Sequence, residues 1–131
     1  MVITMLPVMS GGEKQAQAAT EGISNNGLYT IVNAYNGKAL TQTDMSSFWA
    51  NAVVWNTNAM SDLARWTLTE RGEYYSMTNS YSGKSMKICG ITTGSNCDFN
   101  GYDNSNDYKW KLVRINSGNY AGCYYISQEF Q

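Results

Sequence analysis

One stretch of this chain occurs twice, and the repetition restricts the folds that the chain can adopt. Residues 28–69 contain Tyr-Thr-Ile-Val-Asn at 29–33, a Gly-Lys pair at 37–38 and Arg-Trp-Thr-Leu at 65–68. Residues 74–113 keep this order, from Tyr-Ser-Met-Thr-Asn through Gly-Lys at 83–84 to Lys-Trp-Lys-Leu. The Gly-Lys pairs are 46 residues apart and the Trp residues, Trp66 and Trp110, are 44 apart. Periods in this range are typical of repeat architectures.

Each repeat contains alternating apolar and polar residues separated by turn residues, which predicts four short strands. Asn36-Gly37, for example, is a strong hairpin-turn pair. The predicted strands are 29–32, 38–42, 52–55 and 65–68 in the first repeat, and 75–78, 84–88, 98–102 and 109–112 in the second. The sequence therefore predicts an all-β fold.

A third repeat begins near the end of the sequence and is incomplete. Residues 123–131 start with Cys-Tyr-Tyr-Ile, so that Tyr124 and Ile126 take the places of Tyr29 and Ile31. We therefore expect a domain over 21–131 with two complete repeats and the start of a third.

Residues 1–20 are predicted to lie outside the domain. An apolar run from Val2 to Met9 is followed by a polar stretch and by Ala16-Gln17-Ala18, a pattern found at signal-peptide cleavage sites. The run is too short to span a bilayer. We interpret the segment as part of a secretory signal peptide cleaved near Ala18 or Ala19, or alternatively as a disordered arm.

The composition restricts the function. With a net charge of −1 and a pI of about 5.2, the chain has no basic patch that would indicate a nucleic-acid partner, and we expect no membrane insertion. It contains no His, which removes the commonest general base and metal ligand, and it has no G-x-S-x-G or phosphate-binding motif. We expect no catalysis, no metal and no cofactor. Only 15% of residues are charged, a weak indication of a secreted, extracellular protein.

The three cysteines lie at 89, 97 and 123. Cys89 and Cys97 flank a Gly- and Ser-containing segment, so either a local disulfide closes this loop or both are ordinary buried thiols. Cys123 has no evident partner in the sequence. None of the three belongs to a CxxC pair, which argues against a zinc site.

These repeats resemble the ricin B-type lectin domain. The resemblance rests on Y-x-I-x-N, N-G-K, V-x-x-W and a terminal Trp, and it covers 28–113 well and 123–131 weakly. In that family three repeats pack as a β-trefoil of six barrel strands and six capping strands. The resemblance implies that Trp66 and Trp110 are buried in the core. It places six further residues beside them: Tyr29, Ile31, Leu40, Tyr75, Met77 and Met86.

The resemblance also implies where a sugar would bind. In such lectins an aromatic ring stacks on the apolar face of a pyranose, while Asp and Asn or Gln side chains bond its hydroxyls. The corresponding candidates are Asp44, Trp55 and Asn56 in the first repeat, and Tyr102, Asp103 and Asn104 in the second.

The chain departs from the family pattern at several of these positions. The sugar-binding Asp of the family is replaced by Thr41 and by Lys87. The Asn-Gln pair before the closing Trp becomes Leu63-Ala64 in one repeat and Asp107-Tyr108 in the other. Phe48-Trp49, which lies between predicted strands, is a further candidate for an exposed aromatic contact.

The incomplete third repeat has a physical consequence. A barrel that lacks strands would expose apolar side chains and an unpaired strand edge. We therefore expect the chain to be marginally stable alone, or to associate with itself or with other domains or chains that complete the trefoil.

The leading hypothesis is a non-catalytic carbohydrate-binding module of a secreted protein that takes a galactose-type sugar or a polysaccharide. It could stand alone or be an accessory part of a glycoside hydrolase or a toxin. The alternative is a β-trefoil used for protein–protein contact, such as an inhibitor or toxin-assembly subunit, in which the sugar sites have degenerated.

Overall fold

The computed structural model describes residues 2–8, 22–42, 52–55, 61–88 and 97–128, with the backbone alone described at 52–55 and at Asp98. Ten strands lie within these ranges: β1 (Val2–Pro7), β2 (Gly27–Asn33), β3 (Ala39–Gln42), β4 (Ala52–Trp55), β5 (Arg65–Arg71), β6 (Tyr74–Asn79), β7 (Ser85–Ile88), β8 (Cys97–Asn100), β9 (Lys111–Arg114) and β10 (Tyr124–Ser127). Short 3₁₀ helices at Asp62–Ala64 and Asn106–Tyr108 precede β5 and β9. The strands predicted from the two repeats and from 123–126 are confirmed, with small shifts at their ends.

Six strands form a closed antiparallel barrel. β2 pairs with β5 and β5 with β6, while β9 pairs with β10, β10 with β1, and β1 with β2. The ring closes between β6 and β9, where Tyr75 and Trp110 exchange backbone hydrogen bonds of 2.8 and 2.9 Å. Two hairpins, β3–β4 and β7–β8, extend from β2 and β6. A six-stranded barrel with attached hairpins is the expected β-trefoil architecture.

The N-terminal strand differs from the sequence-based prediction, which left residues 1–20 outside the fold. β1 lies between β2 and β10, and its Ile3 and Met5 side chains are fully buried in the core. The prediction is therefore wrong for Val2–Pro7. A signal peptide and a barrel strand are both short apolar runs, and only the partner strands distinguish them. The alternation of buried Ile3 and Met5 with half-buried neighbours is that of a strand with one face inward.

The expectation of an open barrel is wrong for the same reason. β1 pairs with β10 and with β2, as β5 pairs with β6 and with β2. It therefore fills the place of a final barrel strand in the third repeat. The edges of β2 and β10 that would otherwise be unpaired are covered. No hairpin equivalent to β3–β4 and β7–β8 accompanies β10 in the described part of the chain.

The core is formed mainly by the residues that the repeats align. Trp66 and Trp110 are buried, as predicted. Tyr29, Ile31, Leu40, Met77 and Met86 are buried as well, and Tyr75 is half-buried against them. The two indoles make the same bond: Trp66 Nε1 donates to the Leu40 carbonyl and Trp110 Nε1 to the Met86 carbonyl, both at 3.0 Å.

The turn after the first strand of each repeat is built in the same way. The Asn33 amide donates to the Lys38 carbonyl and the Gly37 amide to the Asn33 carbonyl, each at 2.9 Å. In the second repeat the Asn79 amide donates to the Lys84 carbonyl and the Gly83 amide to the Asn79 carbonyl, again at 2.9 Å. Gly37 and Gly83 have φ values of +72° and +69°, a conformation in which a side chain would be strained. The two Gly-Lys pairs in the sequence therefore mark two turns that have the same hydrogen bonds in the structure.

Candidate functional site

The second-repeat candidates lie together in one exposed turn after β8. The Asp103 carboxylate accepts a 2.9 Å hydrogen bond from the Ser105 amide, and the Tyr102 hydroxyl donates to Asn104 Oδ1 at 2.9 Å. Asn104 has a φ of +67°, which Asn tolerates better than most residues. Asp103 and Asn104 are exposed, and Tyr102 is half-buried. An aromatic ring, a carboxylate and an amide are thus held close together at the surface.

The Tyr102 ring is fixed by two neighbours. The Arg71 guanidinium at the end of β5 lies 3.8 Å from the ring centroid, a cation–π contact. Arg71 is itself oriented by a 3.1 Å bond from its Nε to the buried Ser76 hydroxyl. The Tyr108 ring approaches Tyr102 edge-on, with centroids 5.8 Å apart. One face of Tyr102 is therefore covered by a cation, and a sugar would have to stack on the opposite face.

Asp103 is an ionised acceptor. Hydrogen bonds from the Ser105 backbone N–H and then from the Ser105 side chain lower the pKa of the Asp103 carboxyl, and the charge of Lys87 on β7 acts in the same direction. An exposed carboxylate with a lowered pKa accepts hydrogen bonds over the whole neutral range. This chemistry fits a ligand that offers hydroxyl donors.

The family's acceptor positions do not supply carboxylates here, as the sequence indicated. In the first repeat Thr41 is buried, and its hydroxyl donates to the Ala39 carbonyl at 3.0 Å. In the second repeat Lys87 is half-buried and contributes a cation. Asp103 is therefore a carboxylate that the second repeat offers beside an aromatic ring from the turn after β8, and not from the family's position.

The two aromatic candidates are not equivalent in register. Trp55 pairs with Ala39 across the β3–β4 hairpin, whereas the equivalent Ser85 pairs with Asn100 across β7–β8. Tyr102 lies two positions beyond Asn100, in the turn and not on the strand. The aromatic residue of the second repeat thus lies on a different element from that of the first.

The first-repeat candidates fall largely outside the described residues. This holds for Asp44 and Asn56, for the aromatic pair Phe48-Trp49, and for the side chain of Trp55, whose backbone ends β4. Cys89 lies outside them too, so the Cys89–Cys97 disulfide stays a prediction. The Cys123 thiol lies 3.5 Å from the Thr4 hydroxyl, beside β1.

Arg71 was missed by the sequence reasoning. It is 31 positions before Tyr102, and no motif links the two. Only the pairing of β5 with β6 and the curvature of the barrel bring the end of β5 beside the turn after β8. No local sequence pattern could have indicated this contact, because it depends on how distant strands pair.

Neither a metal centre nor a spanning helix is seen in the part of the chain that the structure describes. No group of three or more His, Cys, Asp or Glu side chains converges there. No helix in the same ranges has the length and apolar character needed to cross a membrane.

Comparison with protein families gives a match over most of the chain. A family model described as ricin-type beta-trefoil lectin domain-like matches residues 15–100. A comparison with curated protein sequences found no match.

Solved structures share the fold. A designed three-fold symmetric protein, ThreeFoil, is 24% identical with a TM-score of 0.63, covering 87% of this chain and 99% of that one. A Polyporus squamosus lectin, bound to the epitope Neu5Acα2-6Galβ1-4GlcNAc, is 7% identical with a TM-score of 0.56, covering 97% and 48%. A GH43 β-1,3-galactosidase is 16% identical with a TM-score of 0.53, covering 100% and 28%. The chain thus spans about half of the lectin and about a quarter of the galactosidase.

Proposed function

Because this chain belongs to the ricin-type β-trefoil lectin domain-like family, we propose that it is a carbohydrate-binding module without catalytic activity of its own. The observation that carries the proposal is the turn at Tyr102, Asp103 and Asn104. There a fixed aromatic ring lies beside an ionised carboxylate and an amide at the surface. A pyranose offers both an apolar CH face and hydroxyl groups, and this turn provides a partner for each.

The first repeat contributes a second site in this proposal. Asp44, Trp55 and Asn56 are its residues, and the resemblance to the family supports them. Since Trp55 ends β4 while Tyr102 lies beyond β8, the two aromatic residues lie at different places in their repeats. We therefore expect different affinities for the same sugar at the two sites.

The ligand is a galactose-type sugar or a polysaccharide. Arg71 and Lys87 border the second site, so a carboxylated sugar also has favourable partners there. The Polyporus squamosus lectin was solved with a sialylated epitope, which supports including sialylated glycans among the probes. Neutral and sialylated galactosides together test whether the ligand is a neutral or a carboxylated sugar.

Secretion belongs to the same proposal, as a free-standing module or as part of a larger enzyme or toxin. The weakly charged composition supports it. Cleavage near Ala18 does not remain part of the proposal, because it would remove β1 and the buried side chains of Ile3 and Met5. Detection of the full β1 strand in the mature extracellular protein would support secretion without cleavage near Ala18.

A protein-contact function is the second candidate, and one observation favours it. Tyr125 on β10 lies directly opposite Val113 on β9, and these side chains are 53% and 45% exposed. An apolar cross-strand pair at the surface is suited to contact with another protein. This pair is a docking candidate independent of the sugar sites.

A glycan array with matched variants separates the two functions. We expect the wild-type chain to bind a subset of galactosides, and both Tyr102→Ala and Trp55→Ala to weaken that binding. Tyr102→Phe keeps the ring and loses only the hydroxyl bond to Asn104, so it should retain most of the affinity. Silence on every neutral and acidic glycan would reject the carbohydrate proposal and leave protein contact as the better account.

A further inference from the structure

The connection between β9 and β10 is much longer than its counterpart. Residues 115–123 join these strands, whereas Gly72-Glu73 joins β5 to β6 at the equivalent junction. The longer connection is closed by its own backbone bonds: Ile115 donates to Cys123 at 2.9 Å and accepts from Gly122 at 2.8 Å. Its residues are exposed or half-buried, and none belongs to the buried core. An ordered insertion that adds nothing to the core is a candidate for a binding role.

This loop places Tyr120 against Tyr35, which lies in the turn after β2. Their ring centroids are 5.4 Å apart, with the ring planes inclined at 46°. A hydrogen bond between the two phenol groups raises the pKa of Tyr120. The two rings therefore form an inclined aromatic pair, and each holds the other in place.

Tyr35 is held in an exposed position. Its backbone amide donates to Asn33 Oδ1 at 2.8 Å, and Asn36 Oδ1 accepts from the Lys38 amide at 2.9 Å, so two side-chain hydrogen bonds brace the turn. The Tyr35 side chain is nevertheless 78% exposed. A fixed, exposed aromatic ring loses little conformational freedom when a ligand stacks on it.

The second repeat provides a comparison for this arrangement. Tyr81 lies at the same place in its turn, with its amide 3.0 Å from Asn79 Oδ1. It is 49% exposed, and the described residues place no second ring against it. The turn alone therefore does not create the aromatic pair; the inserted loop does.

We propose that Tyr35 and Tyr120 form a second type of carbohydrate subsite, which binds a neutral pyranose ring across the inclined aromatic pair. The proposal rests on the carbohydrate-binding function proposed above, and it concerns a different surface from the turn at Tyr102. The rings provide an apolar surface for the sugar's CH face. Exposed Asn36 and Asn119, adjacent in sequence to the two rings, provide uncharged amide donors and acceptors for its hydroxyls.

The test uses NMR titration of the full chain carrying fluorotyrosine, with lactose and xylohexaose as probes. We expect the Tyr35 and Tyr120 signals to shift on addition of one of these probes, and to keep shifting in the Tyr102→Ala variant. Tyr35→Ala and Tyr120→Ala should weaken binding at this subsite by about tenfold or more. Tyr81→Ala is the matched control and should leave it unchanged.

The outcomes separate this inference from the wider proposal. If lactose or xylohexaose binds, and Tyr35→Ala and Tyr120→Ala have no effect on that binding, the subsite is rejected and the module remains a lectin. If neither these probes nor any glycan on an array binds, both proposals fall. The melting temperatures of these variants should be unchanged, because the substituted side chains lie outside the buried core. An unchanged melting temperature shows that a loss of binding does not come from unfolding.

Discussion

Ile3 lies directly opposite Tyr124 in the strand pair that joins the two ends of the described chain. Trp66 has the same relation to Tyr29, and Trp110 to Tyr75. Ile3 thus occupies the third position of a layer that an indole fills in the other two repeats. The smaller Ile3 side chain is fully buried there. The N-terminal strand is therefore a structural part of the barrel.

Substitution of Ile3 should destabilise the fold strongly. Ile3→Ala removes buried methyl groups and leaves a cavity beside Tyr124, at a cost of about 2–5 kcal/mol. Val113→Ala, at an exposed position on β9, serves as the control and should change stability by less than about 0.5 kcal/mol. Urea unfolding followed by Trp fluorescence measures both. Equal midpoints for the two variants would mean that β1 does not belong to the cooperative unit.

The two closing Trp residues should respond alike to loss of the indole N–H. In Trp66→Phe and Trp110→Phe a buried carbonyl, of Leu40 or Met86, loses its 3.0 Å donor. An unsatisfied buried acceptor costs about 1–3 kcal/mol, and the smaller ring adds a packing loss. The loss should be larger at Trp66, because its ring also stacks on Phe99 with centroids 5.7 Å apart. Chemical denaturation measures the loss of unfolding free energy in both variants. A larger loss in Trp110→Phe than in Trp66→Phe would contradict the prediction.

The repeat made much of this fold predictable. Tyr and Trp recur at fixed places because each repeat must bury the same layer, so the sequence indicated the core around Trp66 and Trp110. β1 was not predicted, because it carries no Trp and no neighbouring turn to mark it as part of a repeat. Its role depends on pairing with β10, at the other end of the sequence.

The candidate site was predictable only in part. Tyr102, Asp103 and Asn104 are consecutive, so one turn brings them together. The Arg71 contact and the register difference between Trp55 and Tyr102 depend on strand pairing, which sequence spacing does not reveal. Tyr120 meets Tyr35 through an insertion that has no counterpart in the other junction.

The turn asparagines, Asn33 and Asn79, should differ in importance for stability although they hold the same place in the two repeats. Asn79 is fully buried, and its Nδ2 donates to the Leu63 carbonyl at 2.9 Å while its Oδ1 accepts from the Tyr81 amide. Asn33 is half-buried and accepts from the Tyr35 amide. We expect Asn79→Ala to cost about 1–3 kcal/mol and Asn33→Ala clearly less. Thermal melts of the two variants measure these losses of stability. A larger loss in Asn33→Ala than in Asn79→Ala would show that the bond to the Leu63 carbonyl contributes little.

The pH dependence of sugar binding should report the state of Asp103. Its pKa lies below the ordinary value of 3.8, mainly because the Ser105 amide donates to the carboxylate. A group whose pKa is lower in the folded state stabilises that state above the unfolded pKa, and the contribution is lost as pH falls through the folded pKa. Since Asp103 is exposed, we expect little change in folding stability. The effect should instead appear in binding, where the carboxylate accepts hydrogen bonds from the ligand.

Binding at the Tyr102 site should therefore stay constant from neutral pH down through the usual Asp range, and fall only below it. Asp103→Asn, which keeps the shape but loses the charge, should bind more weakly at neutral pH and lose this acid-dependent step. Calorimetric titration with the best glycan from the array, at a series of pH values, makes the comparison. A wild-type decline that begins well above the ordinary carboxyl pKa would show that another group controls binding, since an Asp103 held ionised by Ser105 cannot take up a proton there.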